Sequence, residues 1–204
     1  MRRPVPTAPA LDQSTATRPP AASVAGVPLL LIIGPPSVGK SSAARQLSRL
    51  LTDGLVAFAC VDRDDFGVDG LLDQDPIIDL QAILRARVAE GAERLVVAWR
   101  IESDAELARF KAALPWTDIT VCRLRAKTDE LLQRIAAAQF SFQRLHLQSM
   151  ALEIAPRLER QACEDILLAT DDASPDVVAA RALRQWAVPG HGRGPNVGGA
   201  GGLR

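Results

Sequence analysis

Apolar residues along this chain fall into two alternating patterns, short continuous runs and longer stripes at helical spacing. Val27 to Ile33 is nearly unbroken apolar sequence, closed by Gly34-Pro35-Pro36, the signature of a strand covered on both faces of a parallel sheet. From Ser41 to Thr52, Ala44, Leu47 and Leu51 recur on one helical face, and Gly54 follows as a cap. Leu55 to Val61 predicts a second buried strand, ended by the acidic cluster Asp62-Arg63-Asp64-Asp65. Ile77, Leu80, Leu84 and Val88 mark a helix over 76–90, and Leu95 to Trp99 a third strand. Ser103 with Glu106 three residues on forms a capping box for a short helix whose stripe is Leu107, Phe110 and Leu114. Ile119 to Leu124 predicts strand four, 128–160 helix in two pieces, and Ile166 to Ala169 strand five. Leu147, Met150, Ala151, Ile154 and Leu158 give the second of those pieces its apolar face. Ser174-Pro175 opens a last helix carrying Val178, Ala182, Leu183 and Trp186, a proline in the first turn after a serine cap.

Strand and helix in strict alternation mean a three-layer α/β/α domain on a parallel sheet, with right-handed crossovers. The 204 residues are 48% hydrophobic and 24% charged, the composition of a globular protein. Lysine plus arginine and aspartate plus glutamate both total 24, which argues against a polyanionic partner such as nucleic acid. The ends change that picture. Residues 1–26 and 189–204 each carry a net +2, so the stretch between them is acidic at −4. Five of the 14 prolines fall in the first segment and seven of the 14 glycines in the last, so both read as disordered tails. The expected folding unit is 27–188. Cys60, Cys122 and Cys163 make no paired framework and fit a reducing, cytoplasmic setting. Leu29 to Ile33 is too short to cross a bilayer, so no membrane partner is expected.

One motif carries chemistry. Gly34-Pro35-Pro36-Ser37-Val38-Gly39-Lys40-Ser41 satisfies the Walker A pattern G-x-x-x-x-G-K-[ST], between a buried strand and a helix start, where that pattern must lie to work. Inward-pointing backbone N–H groups and the helix's positive end cradle phosphate, with Ser42 extending the same turn. Lys40 is placed to reach the β- and γ-phosphates, and the Ser41 hydroxyl to ligate Mg²⁺. The chain therefore binds a nucleoside triphosphate.

Two classes of such proteins fit poorly. Asp64-Asp65-Phe66-Gly67 matches D-x-x-G and Ala126-Lys127-Thr128-Asp129 approaches N-K-x-D, but the only asparagine is Asn196, so the residue that reads guanine is missing. A motor-type ATPase places an acid directly after an apolar strand, whereas strand three runs into Trp99-Arg100-Ile101 before Glu102.

With the P-loop, the acidic segment Asp62 to Asp65, the stretch Val121 to Ile135, and Asp165 to Asp176, the chain resembles the P-loop small-molecule kinases, the group of shikimate, gluconate, adenylylsulfate and nucleotide kinases. The resemblance spans about residues 27–186 and implies the strand order 2-3-1-4-5. It implies ATP and Mg²⁺ as cofactors and transfer of the γ-phosphate to a small-molecule hydroxyl or phosphate acceptor. Asp62 and Asp64 are then candidate catalytic residues, one orienting or deprotonating the acceptor and the other serving Mg²⁺ through water, with Asp62 set beside Ser41 on the metal side. Arg134 matches an arginine of the lid helix, the lid spanning about 134–150, and adenine is expected near Ala169 to Asp171. Arg100 and Glu102 stand where they can read the acceptor, or are surface residues. Arg100, Arg123 and Arg125 are further candidates for one phosphate, Phe140, Phe142 and Met150 for an acceptor pocket, and His146 for a base or a solvated helical face. Residues 136–143 lack the run of arginines usual in such lids, which leaves open an alternative: an ATP-binding regulatory or ATPase-like protein on a degenerate kinase fold.

Overall fold

The computed structural model describes residues 26–66, 75–138 and 143–186. Strands and helices alternate from β1 (Val27–Ile33) through α1 (Lys40–Asp53), β2 (Phe58–Asp62), α2 (Pro76–Ala89), β3 (Arg94–Ala98), α3 (Asp104–Ala113) and β4 (Thr117–Arg125). α4 (Thr128–Ala137), α5 (Arg144–Gln161), β5 (Ile166–Ala169) and α6 (Pro175–Trp186) complete the series, and one turn of 3-10 helix, Arg63–Phe66, follows β2 directly. The sheet is five-stranded and parallel, in the order β2-β3-β1-β4-β5. The expected tails, apart from Gly26, lie outside the described residues, as do Phe140 and Phe142 of the expected lid and Gly67 of the D-x-x-G match.

β1 is central because both its faces are apolar. Leu30 and Ile32 point into one core, with Ala44, Leu47 and Leu51 of α1 and Val178, Ala179 and Ala182 of α6. Leu29, Leu31 and Ile33 point into the other, with Leu80 and Leu84 of α2, Leu107 and Phe110 of α3, and Ile154 and Leu158 of α5. All five β1 residues are almost wholly shielded from water, so truncating any of them to alanine costs about 2–5 kcal/mol. The two cores on one sheet are the three layers.

Helix starts follow the local chemistry. The Ser103 side chain accepts from the Glu106 N–H at 3.2 Å. Glu106 reaches back to the Glu102 N–H at 2.6 Å, so two otherwise unpaired donors are satisfied reciprocally. Asp75 caps α2 ahead of Pro76, accepting from the Ile77 N–H at 3.1 Å.

Three strands have boundaries that differ from expectation. β2 begins at Phe58, not Leu55, because residues 54–56 close α1: Leu55 adopts φ 54, and the Val56 N–H donates to the Leu51 carbonyl. That spends Leu55 on a left-handed turn and leaves it 94% exposed. β4 begins two residues early, since Val27 and Pro28 of β1 pair with Thr117 and Asp118. β3 ends at Ala98, one residue before Trp99.

Arg123 corrects a functional expectation. It sits inside β4, 5% exposed, with its guanidinium 2.7 Å from Glu164, so it is a buried ion pair and not a free phosphate contact. The Arg123 hydrogen bond holds the Glu164 carboxyl below the usual carboxylate range.

Candidate active site

The carboxyl ends of β1, β2 and β3 converge on one crevice edge, the position where open parallel sheets bind ligands. The loop after β1 is held by backbone geometry. Gly34 has φ 148, and a Cβ there would stand 2.6 Å from the Leu124 carbonyl oxygen, so only glycine fits. Gly39, at φ 102, turns the chain into α1, and Ser37 also takes a positive φ of 60. Pro35 and Pro36 stiffen the stretch between Gly34 and Ser37.

Lys40 folds back over this loop. Its Nζ donates to the carbonyls of Gly34 and Pro35, both at 3.0 Å. The residue as a whole is half-buried, but its ammonium lies under the loop, and lost solvation lowers its pKa to about 8. Asp64 and then Asp62 oppose that shift, while Arg100 reinforces it and Glu102 opposes it. The ends of β2 and β3 thus bring their charges around the lysine.

Ser41, one residue on, points toward the 3-10 turn, its Oγ 3.5 Å from Oδ2 of Asp64. Asp64 and Asp65 are exposed and Asp62 is half-buried. Asp62 Oδ1 accepts from the Asp64 N–H at 3.1 Å, and Asp65 Oδ2 accepts from the Asp62 N–H at 3.2 Å. A hydroxyl and a carboxylate beside a phosphate-binding lysine suit a magnesium ion, which takes few protein oxygens and completes its shell with phosphate and water. Ser41 and Asp64 are the oxygens in contact here.

On the other side of the loop a cavity of about 300 Å³ opens, bounded by Ser37, Gly39 and Ser42, by Arg134 of α4, and by Thr170, Ala173 and Pro175 of the β5–α6 connection. Arg134 is its clasp. One terminal nitrogen donates to the Thr170 hydroxyl at 3.1 Å and lies 3.4 Å from the Val38 carbonyl. The other donates to the Thr170 carbonyl at 2.7 Å, and Nε bonds Glu130 at 2.8 Å. The Lys127 N–H bonds Asp171 at 2.6 Å, tying the same two connections from below.

The cavity brings together the loop, Arg134 and, from the Ala169 to Asp171 stretch expected near adenine, Thr170, whereas the sequence marks Pro175 only as a helix start. The only local signal for the clasp was the i, i+4 spacing of Glu130 and Arg134. Arg100 pairs with Glu102 at 3.3 Å at the end of β3, and Arg63 lies 5.6 Å over the Trp99 ring. Trp99 is buried between Phe66 and Phe110. Met150 packs partly into the core and His146 lies on the exposed face of α5. Burial pushes the Cys122 thiol up to about 12 and raises Cys60 as well, so neither is a nucleophile. Among the described residues no helix is long and apolar enough to cross a membrane.

No family model and no curated protein matches the chain. Solved structures do. A gluconokinase from Sinorhizobium meliloti 1021 aligns with a TM-score of 0.55 at 16% identity, covering 79% of this chain and 92% of that one. The APS kinase of Mycobacterium tuberculosis, solved with AMPPNP and APS, aligns at 0.54 and 20%, over 78% and 97%. This chain has a P-loop kinase-like fold. The Deinococcus radiodurans tunicamycin resistance protein is similar in the same degree, at 0.54 and 20% over 79% and 96%. These likenesses concern the fold, and the neighbours' differing names show how many tasks that fold accepts.

Proposed function

We propose that the protein is a phosphotransferase that moves the γ-phosphate of Mg-ATP to a small-molecule acceptor. One observation carries this reading: the loop that bears Lys40 has a half-open cavity on one side and a carboxylate edge on the other. A kinase needs that arrangement, because the γ-phosphorus must face away from its base and toward an acceptor oxygen. On this reading the loop Gly34 to Ser42 cradles the phosphates and Ser41 ligates Mg²⁺. Arg134 and Pro175 flank the nucleobase in the cavity, so Arg134 acts as a wall and not as a mobile lid arginine.

Magnesium, when bound with ATP, neutralises charge on the phosphates. Lys40 gives up its two loop carbonyls, is held protonated by the incoming phosphate, and follows the transferring group. The carboxylates after β2 orient the acceptor hydroxyl and serve the metal between them. Three free cysteines support a reducing compartment.

The test is a phosphate-acceptor screen with purified protein, Mg-ATP and a broad metabolite panel. ADP should accumulate only when a particular acceptor is present, and Lys40→Ala should abolish it. ATP bound tightly with no transfer to any compound would favour the regulatory alternative, whose support is the arginine-poor sequence after α4.

A further inference from the structure

We propose that the cavity beside the loop holds a purine by shape and stacking and does not read its edge, so that GTP serves as phosphate donor alongside ATP. The inference rests on the phosphotransferase reading and widens its donor to the purine nucleoside triphosphates. Transfer from GTP breaks the same β–γ phosphoanhydride bond and leaves GDP in place of ADP. The missing guanine-reading asparagine agrees with this, since a site that reads neither base needs no such residue.

The polar side chains at the base end of this cavity are already bonded within the protein. Thr170 is 4% exposed, and its hydroxyl donates to the Arg125 carbonyl at 3.3 Å while accepting from Arg134 at 3.1 Å. Its carbonyl accepts from Arg134 at 2.7 Å. Each of the three Arg134 nitrogens donates to the protein, Nε to Glu130. Asp171, the carboxylate next in sequence, accepts the Lys127 N–H at 2.6 Å. Ser37 and Ser42 belong to the phosphate loop and the first turn of α1. The other walls include Ala173, Pro175 and Val178, all apolar, and among the described residues that bound the cavity there is no Asp, Glu, Asn or Gln.

Adenine and guanine share one bicyclic outline and differ at the edge, where an amino donor in one faces a carbonyl acceptor in the other, and guanine adds a second amino group. A site built to bond such groups rejects the wrong partner by about 10⁴-fold or more, because its own buried polar atoms would go unpaired; apolar walls distinguish far less. The main chain at Ala173 carries one donor and one acceptor, which the edge of either purine can meet. The cavity is half open, so an edge group the protein leaves unpaired keeps its water. Arg134 fits the same scheme. All N–H groups of a guanidinium lie in its plane, so its bonds to Glu130 and Thr170 occupy the rim and leave the faces for stacking, which any base accepts.

The experiment is isothermal titration calorimetry on the full-length protein with Mg²⁺ and AMPPNP, GMPPNP or tripolyphosphate, the last having the phosphates and no base. Wild-type protein should bind AMPPNP and GMPPNP within about tenfold of each other. Ala173→Phe fills the cavity, so it should weaken both analogues about tenfold or more, the worth of one stacked base, and leave tripolyphosphate unchanged. If the added ring also disturbs tripolyphosphate binding, Pro175→Ala, which removes a wall and adds no bulk, makes the same comparison with a loss of about threefold or more in both analogues.

A preference beyond about tenfold for either purine would overturn the inference, since a protein group would then be reading the edge. Purine affinities that neither variant changes would also overturn it, because the base would then lie outside the cavity. A wild-type protein that binds none of the three compounds removes the nucleotide reading beneath, a distinct failure.

Discussion

The two sides of Lys40 are built from different materials. The side with the cavity is backbone: Gly34 against the Leu124 carbonyl, positive φ at residues 34, 37 and 39, and Thr170 buried with its hydroxyl and carbonyl both bonded to Arg134. The open edge, the acceptor side on the proposed function, is side chain: exposed Asp64 and Asp65, and an Arg100–Glu102 pair open to water. Backbone geometry comes with the sheet order and is reproduced wherever the fold is. Side chains on exposed strand ends change without cost to the fold. Structures as different in name as a gluconokinase and a tunicamycin resistance protein share the architecture at 16% and 20% identity. On the proposed function, both nucleotide and acceptor are argued from this chain's own residues.

The comparison is tested most severely at Lys40 itself. Lys40→Met should reduce AMPPNP affinity by about 100-fold or more, since two or three charge-assisted contacts are lost. It should also stabilise the ligand-free protein by about 1–3 kcal/mol, because a buried ammonium is removed. The folded pKa of about 8 lies below the ordinary 10.5. Between those values the unfolded chain binds a proton that the folded one lacks, so Lys40 adds a slope of rising stability from about pH 8 to 10.5, set against the falling contribution of the three thiols, whose pKa values burial raises. The Lys40→Met variant should lack that slope in urea melts. Nucleotide affinity should run the other way, falling above about pH 8 as the lysine loses its proton. Wild-type and Lys40→Met melts of equal slope across that window would mean the ammonium is not desolvated as described.

Gly34→Ala comes next. Its Cβ meets backbone oxygen at 2.6 Å and the residue sits at φ 148, so the loop and β4 must separate. We expect a loss of about 2–4 kcal/mol in thermal melts together with weaker nucleotide binding. Arg134→Ala is smaller, about 1–3 kcal/mol, since it leaves the buried Thr170 carbonyl without its donor. Its KM for ATP should rise while its KM for the acceptor holds. Equal change in both would break the division of the site.

What the sequence made legible was local. β1, the P-loop and the Ser103–Glu106 box were readable because each is decided by residues within a few positions of one another. The clasp was not, because Arg134 and Thr170 meet across 36 residues, and only the β5–α6 connection brings them together. Arg123 misled for a related reason. In a strand covered on both faces, period-two alternation vanishes, so an arginine in β4 carries no sign of which way it points. Its partner Glu164 lies 41 residues away. The resemblance sets Asp62 beside Ser41, whereas it is Oδ2 of Asp64 that lies 3.5 Å from the Ser41 Oγ.

The smallest effect belongs to Arg100, and it sharpens the comparison most cheaply. Its pair with Glu102 is solvent-exposed, 42% and 29% by side chain, so water screens much of it and stability should move by no more than about 0.5 kcal/mol in Arg100→Ala. The β3–α3 connection keeps its shape without it, held by the Glu106 and Arg157 contacts to the Glu102 backbone at 2.6 and 3.4 Å. Arg100 also acts on Lys40 as a like charge, so its removal should raise the lysine's pKa slightly and leave AMPPNP affinity at neutral pH unchanged. What should change is the KM for the acceptor, once one is known, with the KM for ATP fixed. A loss of nucleotide affinity matching that of Arg134→Ala would mean that the open edge and the cavity share one binding surface, and that the proposed acceptor side is under the same constraint as the loop.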